Sequence, residues 1–158
     1  MTDFQTEYMQ RAVELSREGV KAGDGGPFGA IIVRGGEIIA EGNNRVIVDN
    51  DPTAHAEVVA IRRACEKLGN FQLDDCELYT SCEPCPMCLG AIYWARPSVV
   101  YYANDKADAA AIEFDDSFIY EELKVPYDQR KIKFIKTPND EAIKVFQEWA
   151  EKQDKVQY

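Results

Sequence analysis

The sequence predicts a three-layer α/β/α fold, in which a mixed sheet of about five strands carries helices on both faces. A strand–helix–strand order over residues 76–103 predicts a parallel pair of strands joined by a right-handed crossover. Upstream, two apolar runs flank Gly35 and Gly36, which is typical of a two-residue hairpin between antiparallel strands. Segments with helical periodicity separate and follow these strands, so helices are expected to cover both faces of the sheet.

Composition and charge restrict the class of protein. The 158 residues are 46% hydrophobic and 29% charged, which is ordinary for one globular domain. The net charge of −10 offers no basic surplus for phosphates, so no nucleic-acid partner is expected. The longest uncharged stretch, residues 84–95, is too short for a membrane span, which needs roughly 20 residues. The first residues lack the features of a signal peptide, so a cytoplasmic location is expected.

The first element is predicted to be an amphipathic helix over residues 4–21, ended by Gly23. Its apolar face is expected to consist of residues at helical spacing, namely Met9, Val13, Ser16 and Val20. The hairpin follows, with strands at residues 30–33 and 37–40.

A polar loop over residues 43–50 leads into a second helix, for which Asp51 and Pro52 predict the N-cap and the first position. This helix is expected to end near Gly69. Its buried stripe is predicted to be Ala54, Val58, Ile61, Cys65 and Leu68.

Residues 76–81 alternate in polarity and predict a strand. A third helix is predicted to open within residues 84–88 and to end near Arg96, before a short strand at residues 99–103.

The remaining chain is predicted to hold a weakly periodic segment over residues 107–123, a strand at residues 132–135 and a helix over residues 139–152. The last helix carries four apolar residues on one side, namely Ile143, Phe146, Trp149 and Ala150.

Potential metal ligands lie at the starts of two predicted helices, with His55 in one and Cys85 and Cys88 in the other. Thiolates and neutral imidazole are ligands that zinc accepts, and a helix N-terminus favours ionised thiols. These three ligands leave a fourth position open, as in catalytic zinc sites, where the pKa of bound water falls toward about 7. Glu57 can reach the same site and is predicted to carry a proton from this water to a leaving amine.

Other interpretations of the cysteines stay open. The run that begins at Cys82 has the spacing C-x2-C-x2-C of some iron–sulfur sites, although Ile92 stands at the next position of that pattern. Cys82 could also complete a closed structural Cys3His zinc site, which would leave Glu57 beside the metal unexplained. Cys65 and Cys76 fall on apolar stripes and are interpreted as core residues.

The motif H-x-E at residues 55–57 and the motif P-C-x-x-C at residues 84–88 resemble those of the cytidine and deoxycytidylate deaminase superfamily. This resemblance extends over residues 29–103 and implies a cytidine deaminase-like fold. Within the superfamily the chain resembles the bacterial guanine deaminases, and that resemblance covers nearly the whole chain. The matching segments are residues 26–29, 89–95 and 114–120 and the terminal Tyr158.

The resemblance implies a hydrolase of purine catabolism that converts guanine to xanthine and ammonia. Zinc hydroxide would be the nucleophile and Glu57 the proton shuttle. The implied ligands of one zinc ion per subunit are His55, Cys85 and Cys88. The implied substrate contacts are Asn44, Phe28, Trp94, Asp116 and Tyr158. Core packing of the aromatic residues and fraying of the terminal tyrosine are the competing interpretations.

In the same family the C-terminal segment crosses to a second subunit. The resemblance therefore implies a single domain over residues 1–158 that forms a swapped homodimer, in which Asp116 and Tyr158 complete the pocket and one of the two comes from the partner. A tRNA adenosine deaminase has almost the same core motifs, but the basic surface expected of it is missing here. Another nucleobase deaminase, or a non-catalytic zinc-stabilised interaction domain that does not need Glu57, remains an alternative.

Overall fold

A computed structural model describes residues 4–158, which form one four-stranded sheet and six α-helices. In chain order the elements are α1 (Thr6–Ala22), β1 (Gly29–Arg34), β2 (Glu37–Asn43), α2 (Ala56–Leu68), β3 (Cys76–Cys82), α3 (Pro86–Ala95), β4 (Val99–Asn104), α4 (Lys106–Ala111), α5 (Ser117–Lys124) and α6 (Asp140–Glu151). The chain divides into two units, of which the first ends at Asp116 and the second spans Ser117–Tyr158. The sheet belongs to the first unit.

The strand order of the sheet is β2-β1-β3-β4. Strand β1 is antiparallel to both of its neighbours, and its Ala30 lies between Gly42 of β2 and Thr80 of β3. Strands β3 and β4 are parallel, with Leu78 opposite Val100. The predicted mixed sheet, an antiparallel hairpin continued by a parallel pair, is confirmed.

Successive residues of the central strands point to opposite faces of the sheet. On one face Ile31 and Tyr79 pack with Leu15 of α1. On the other face Ile32 and Leu78 pack with residues of α2 and α3. Because both faces of β1 and β3 are covered, the unit has the predicted three layers.

The strand predicted at residues 132–135 is wrong, and in the described part of the chain the sheet has four strands rather than about five. The run has the apolar composition of a strand, but no neighbouring strand pairs with it in this structure. Its side chains are largely exposed, with Ile132 at 75% and Ile135 at 80%.

Helix α2 begins at Ala56 with His55 as its N-cap, so the predicted start at Asp51 and Pro52 is wrong. The Asp51 carboxylate instead accepts hydrogen bonds from the amide and the hydroxyl of Thr53, at 2.8 and 2.7 Å. Asp residues favour such local turns as much as they favour helix N-caps, so the pattern predicts either. The later start leaves His55 on extended backbone at the helix N-terminus.

The sheet-facing side of α2 also differs from the predicted stripe. Its buried residues are mostly small, namely Ala56, Glu57, Val59, Ala60 and Ala64. Only Ala54 of the predicted stripe is buried, whereas the others are half-buried, namely Val58, Ile61, Cys65 and Leu68. The helix lies so close to β2 that a Cβ on Gly42 would be 2.6 Å from the Ala56 carbonyl oxygen. Close approach of two backbones therefore selects alanines for this face.

In helix α1, too, small residues are buried where larger apolar residues were predicted. Its buried residues are Ala12, Leu15 and Gly19, whereas Val20 of the predicted face is 49% exposed. The other three predicted residues are half-buried, namely Met9, Val13 and Ser16. The predicted C-terminus is confirmed, because Gly23 caps the helix in the left-handed conformation with a φ of 76°.

Replacing Gly29 by Ala is expected to lower the free energy of unfolding by about 2–3 kcal/mol in a urea titration. A Cβ at Gly29 would lie 2.1 Å from the Ala12 carbonyl oxygen, and backbone atoms cannot swing aside. Gly90 is the matched control, since nothing lies within 4 Å of its Cβ position on α3. Gly90→Ala should stabilise the protein by about 1 kcal/mol through helix propensity. A Gly29→Ala variant as stable as the wild type would contradict the close packing.

The other predicted elements agree with the structure. Helix α3 ends at Ala95 and α6 begins at Asp140 after the Asn139 N-cap. The weakly periodic segment contains α4 and α5. Cys76 is fully buried in the core and Cys65 packs against it. None of the described helices is both long enough and apolar enough to span a membrane.

Candidate active site

Two helix N-termini place three potential metal ligands together. His55 is the N-cap of α2, Cys85 is the N-cap of α3, and Cys88 lies in the first turn of α3. Their ligand atoms all lie within 4.8 Å of one another. His55 Nδ1 is 3.5 Å from the Sγ atom of each cysteine.

These distances fit a zinc ion. With zinc bonds to nitrogen and sulfur of ordinary length, a tetrahedral site has N···S edges of about 3.6 Å. Among residues 4–158, this trio is the one group of at least three such residues close enough to share a metal. Cys82 lies outside it, with its Sγ 3.7 Å from the Asp105 carbonyl oxygen. The geometry thus favours a three-ligand site with an open position over the closed or iron–sulfur alternatives.

The two thiols of the trio have very different proton affinities. A hydrogen bond from Cys88, assisted by one from His55, outweighs the opposing effect of burial and lowers the pKa of Cys85 to about 4. The same hydrogen bond to Cys85, together with burial, raises the pKa of the Cys88 thiol. The hydrogen bond to Cys85 also raises the pKa of His55. A metal cation would replace the proton that this cluster otherwise holds.

Glu57 is a buried carboxyl group beside this trio. It lies in the first turn of α2 and is only 6% exposed. Its Oε2 is 3.4 Å from Cys88 Sγ, and its Oε1 accepts a hydrogen bond from the Thr80 hydroxyl at 3.1 Å. Burial raises the pKa of Glu57. A carboxyl with raised pKa beside a metal site has the properties of a general acid or base.

Phe28 directly precedes β1 and Asn44 directly follows β2, so the two residues lie at the same end of the hairpin in the first unit. The Asn44 side-chain oxygen accepts hydrogen bonds from the backbone amides of Gly26 and Val46, at 3.3 and 3.1 Å. Asn44 N–H donates to the Phe28 carbonyl at 3.0 Å, which holds the two residues together. One residue on, the amide of Arg45 donates to the carbonyl of Ala54, the residue before His55. This hydrogen bond holds the residue after Asn44 against the residue before the metal ligand His55.

The remaining predicted substrate contacts are Asp116, Trp94 and Tyr158. Asp116 is half-buried, and its pKa is raised by burial first and also by the nearby charge of Cys85. Trp94 is 62% exposed on α3, whose inward face is formed by Cys88, Ile92 and Ala95. Tyr158 is the last residue of the second unit and is 70% exposed. The roles of these three residues stay predictions.

Two residues of this region were not predicted from the sequence. Thr80 contacts Glu57, and Phe114 packs edge-on against Phe28 with ring centroids 5.0 Å apart. The alternation of side chains along β3 could have indicated that Thr80 lies on the same face of the sheet as Leu78. Phe114 has no comparable local signal, because its contact spans 86 positions of the chain.

Comparison with known proteins places the chain in a family. Residues 2–104 match the family described as the cytidine and deoxycytidylate deaminase zinc-binding region. The chain therefore belongs to this family of zinc-binding deaminases, as the two motifs indicated.

Particular relatives are similar over more of the chain. Guanine deaminase of Bacillus subtilis (strain 168) is 60% identical over 151 residues, which cover 96% of this chain and 97% of that protein. The X-ray structure of guanine deaminase from Bacillus subtilis superimposes with a TM-score of 0.94 at 58% identity, covering 98% of this chain and 99% of that one. The tRNA-specific adenosine deaminase of Aquifex aeolicus (strain VF5) is 38% identical over 127 residues, which cover 80% of this chain and 81% of that protein.

Proposed function

We propose that this protein catalyses the hydrolytic deamination of guanine to xanthine and ammonia, with one zinc ion per subunit. The observation that carries the proposal is the buried Glu57 carboxyl, 3.4 Å from Cys88 Sγ within a His/Cys/Cys cluster. The similarity to guanine deaminase over nearly the whole length of both chains supports guanine as the base. Thiolate ligands stay reduced in the cytoplasm, which is the location we propose for this step of purine catabolism.

His55, Cys85 and Cys88 would hold the zinc ion, whose Lewis acidity would make water nucleophilic near neutral pH. Glu57 then performs the proton transfers. Its Oε2, on the side of Cys88, would take a proton from the attacking water and give it to the departing exocyclic nitrogen. Water exclusion around this buried carboxyl strengthens its electrostatic interactions with the substrate.

The substrate contacts follow from the chemistry of the flanking side chains. Because the Asn44 oxygen is already engaged by two backbone amides, its amide group offers hydrogens to an acceptor on the purine. Phe28 and Trp94 would contact the flat base. Asp116 would accept hydrogen bonds from N1–H and the amino group of guanine, whereas adenine lacks N1–H. Tyr158 would close the pocket.

Asn44→Asp tests this arrangement with an almost isosteric change. The new side chain keeps one oxygen on the two backbone amides but presents an acceptor to the purine instead of a donor. We expect kcat/KM for guanine to fall by about 100-fold, with zinc content unchanged. Asn50→Asp, an exposed change in the same loop, should leave kcat/KM unchanged. Equal kinetics for the two variants would show that Asn44 does not bind the base.

The proposed function is tested by metal analysis together with ammonia release from guanine, adenine, cytosine, cytidine and an adenosine-containing tRNA anticodon stem-loop. We expect about one zinc per chain and ammonia from guanine. Release from the RNA alone would identify the rival tRNA adenosine deaminase. A metal-loaded protein that releases ammonia from none of these substrates would be a non-catalytic zinc domain.

We also infer a homodimer in which the segment after Asp116 crosses to the partner. The second unit has 42 residues, none of them buried, and it exposes large apolar side chains such as Phe118, Phe134 and Phe146. So short a chain rarely buries a sufficient core alone, and exposed apolar surface of this extent is typical of interfaces. The charges are complementary: residues 1–116 carry the entire net charge of −10, whereas residues 130–136 carry four positive charges.

The dimer is tested by light scattering and by complementation. A particle of twice the chain mass is expected. A chain with Glu57→Gln and a chain with Tyr158→Ala should each be weakly active. In a swapped dimer, unfolding and refolding them together should restore activity, because one pocket then holds both native residues. A monomeric particle, or a mixture no more active than its components, would contradict the swap.

A further inference from the structure

Thr80 lies at the centre of the sheet, directly under the candidate proton carrier. It is 1% exposed and pairs with Ala30 of β1 on one side and Tyr102 of β4 on the other. Hydrogen bonding to both neighbouring strands fixes its backbone, and its β-branched side chain has few rotamers. The Thr80 hydroxyl is therefore held on a rigid element.

The hydroxyl has two acceptors for one proton. Its Oγ1 is 3.1 Å from Glu57 Oε1 and 3.1 Å from the Cys82 carbonyl oxygen. At equal distances Glu57 is the stronger acceptor when it is ionised, the form in which it takes a proton from water, because a hydrogen bond to an ionised group is roughly twice as strong as a neutral one. The Thr80 hydroxyl therefore donates preferentially to Glu57 rather than to the Cys82 carbonyl.

This bond adds to the hydrogen bonds that Glu57 has with its own backbone and with Cys88, and it fixes the orientation of the carboxylate from the side of the sheet. The terminal torsion of glutamate is broad and roughly two-fold, so the torsion alone leaves the carboxylate orientation weakly defined. In the structure, Oε1 is bound by Thr80 while Oε2 lies 3.4 Å from Cys88 Sγ. The two contacts use opposite oxygens, so holding Oε1 also determines where Oε2 points.

We propose that Thr80 is a positioning residue for catalysis: its hydroxyl holds Oε1 of Glu57 so that Oε2 faces the reacting groups at the metal site. The inference rests on the proposed function and adds a residue that neither the zinc-binding motifs nor the substrate contacts include. A displacement of a reacting group by 1 Å can cost about 100-fold in rate. The contribution of Thr80 should therefore appear in kcat rather than in zinc or guanine binding.

Two variants separate the hydroxyl from the packing of this side chain. Thr80→Val keeps the shape and removes the donor, whereas Thr80→Ser removes a methyl group and keeps the donor. We expect Thr80→Val to lower kcat by about 10- to 100-fold with KM changed less than about 3-fold. Thr80→Ser should remain within about 3-fold of the wild-type kcat, although it creates the larger void.

Zinc affinity, measured by competition with a chelator, separates positioning of Glu57 from support of the ligand loop. If the hydroxyl served only the Cys82 carbonyl, its loss would disturb the segment leading to Cys85 and weaken zinc binding. We expect the zinc affinity of Thr80→Val to equal that of the wild type. In a Glu57→Gln background, Thr80→Val should cause no further loss of the residual rate.

Three results would overturn the proposal: an unchanged kcat in Thr80→Val, a Thr80→Ser variant no better than Thr80→Val, or a loss of activity that parallels a loss of zinc. If the wild type deaminates a base other than guanine, the proposed substrate fails and the same variants are compared on that base. A wild-type protein inactive on every base would overturn both proposals.

Discussion

Replacing Glu57 by Gln is expected to lower kcat for guanine by roughly 10²–10⁴-fold, the contribution of a positioned acid–base group. Glutamine has nearly the same shape, and its Oε1 can still accept the hydrogen bond from Thr80. The amide cannot take up and release a proton at neutral pH, so the transfer to the leaving nitrogen is lost. The buried position favours a neutral group, so the fold should tolerate the change.

The measurement is steady-state ammonia release, accompanied by zinc analysis and thermal unfolding of the same preparation. We expect about one zinc per chain and an unfolding temperature at least equal to that of the wild type. A fully metallated Glu57→Gln protein with wild-type kcat would show that Glu57 carries no proton. A protein that loses its zinc would instead indicate that Glu57 supports the ligands.

Cys88→Ser is expected to remove zinc and activity together. Cys88 is fully buried, lies 3.5 Å from His55 Nδ1 and provides one of the three ligand atoms of the trio. A serine hydroxyl does not ionise at neutral pH and is a poor ligand for zinc compared with a thiolate. We expect zinc affinity to fall by about 100-fold or more, and ammonia release to fall with metal content.

Cys82→Ser is the matched control, because Cys82 is also buried and lies three residues before Cys85. Its Sγ contacts the Asp105 carbonyl, to which a serine hydroxyl can donate. Zinc content and kcat should remain close to wild-type values. Equal loss of zinc in the Cys82 and Cys88 variants would indicate a closed four-ligand site rather than an open one.

The metal ligands and Glu57 could be predicted from the sequence because they belong to two short motifs, each of which is contiguous in the chain. The motifs at residues 55–57 and 84–88 specify the ligand types, and each lies at the start of a helix. Strand β3, which runs into the second motif, joins the parallel pair to the hairpin, as predicted, although the sequence did not indicate that β1 is the hairpin strand it borders. The fold class followed from the same periodicities, since period two and period 3.6 distinguish strands from helices.

Distances between backbones could not be predicted in the same way. The buried faces of α1 and α2 depend on how closely each helix approaches the glycines of β1 and β2, such as Gly29 and Gly42. Hydrophobic periodicity identifies large apolar side chains as the buried face of a helix, whereas a helix that packs closely against a sheet needs small side chains on that face. The side-chain pairing of Thr80 with Glu57 likewise depends on the register of α2 over β3, which no local pattern contains.

The strand expected at residues 132–135 was wrong for a related reason. An apolar run becomes a strand only when another strand offers it hydrogen bonds, and composition does not report a partner. In the second unit the run remains exposed. Local composition was also ambiguous at Asp51. Its side chain accepts a hydrogen bond from Thr53 in a turn rather than capping a helix.

The family match ends at residue 104, which is also the last residue of β4. The sheet, the ligand trio and Glu57 all lie before that point, whereas Asp116 and Tyr158 lie after it. Substitutions after residue 104 therefore leave every metal ligand and Glu57 in place, so variants of this later segment can report on the base without replacing a residue of the zinc site.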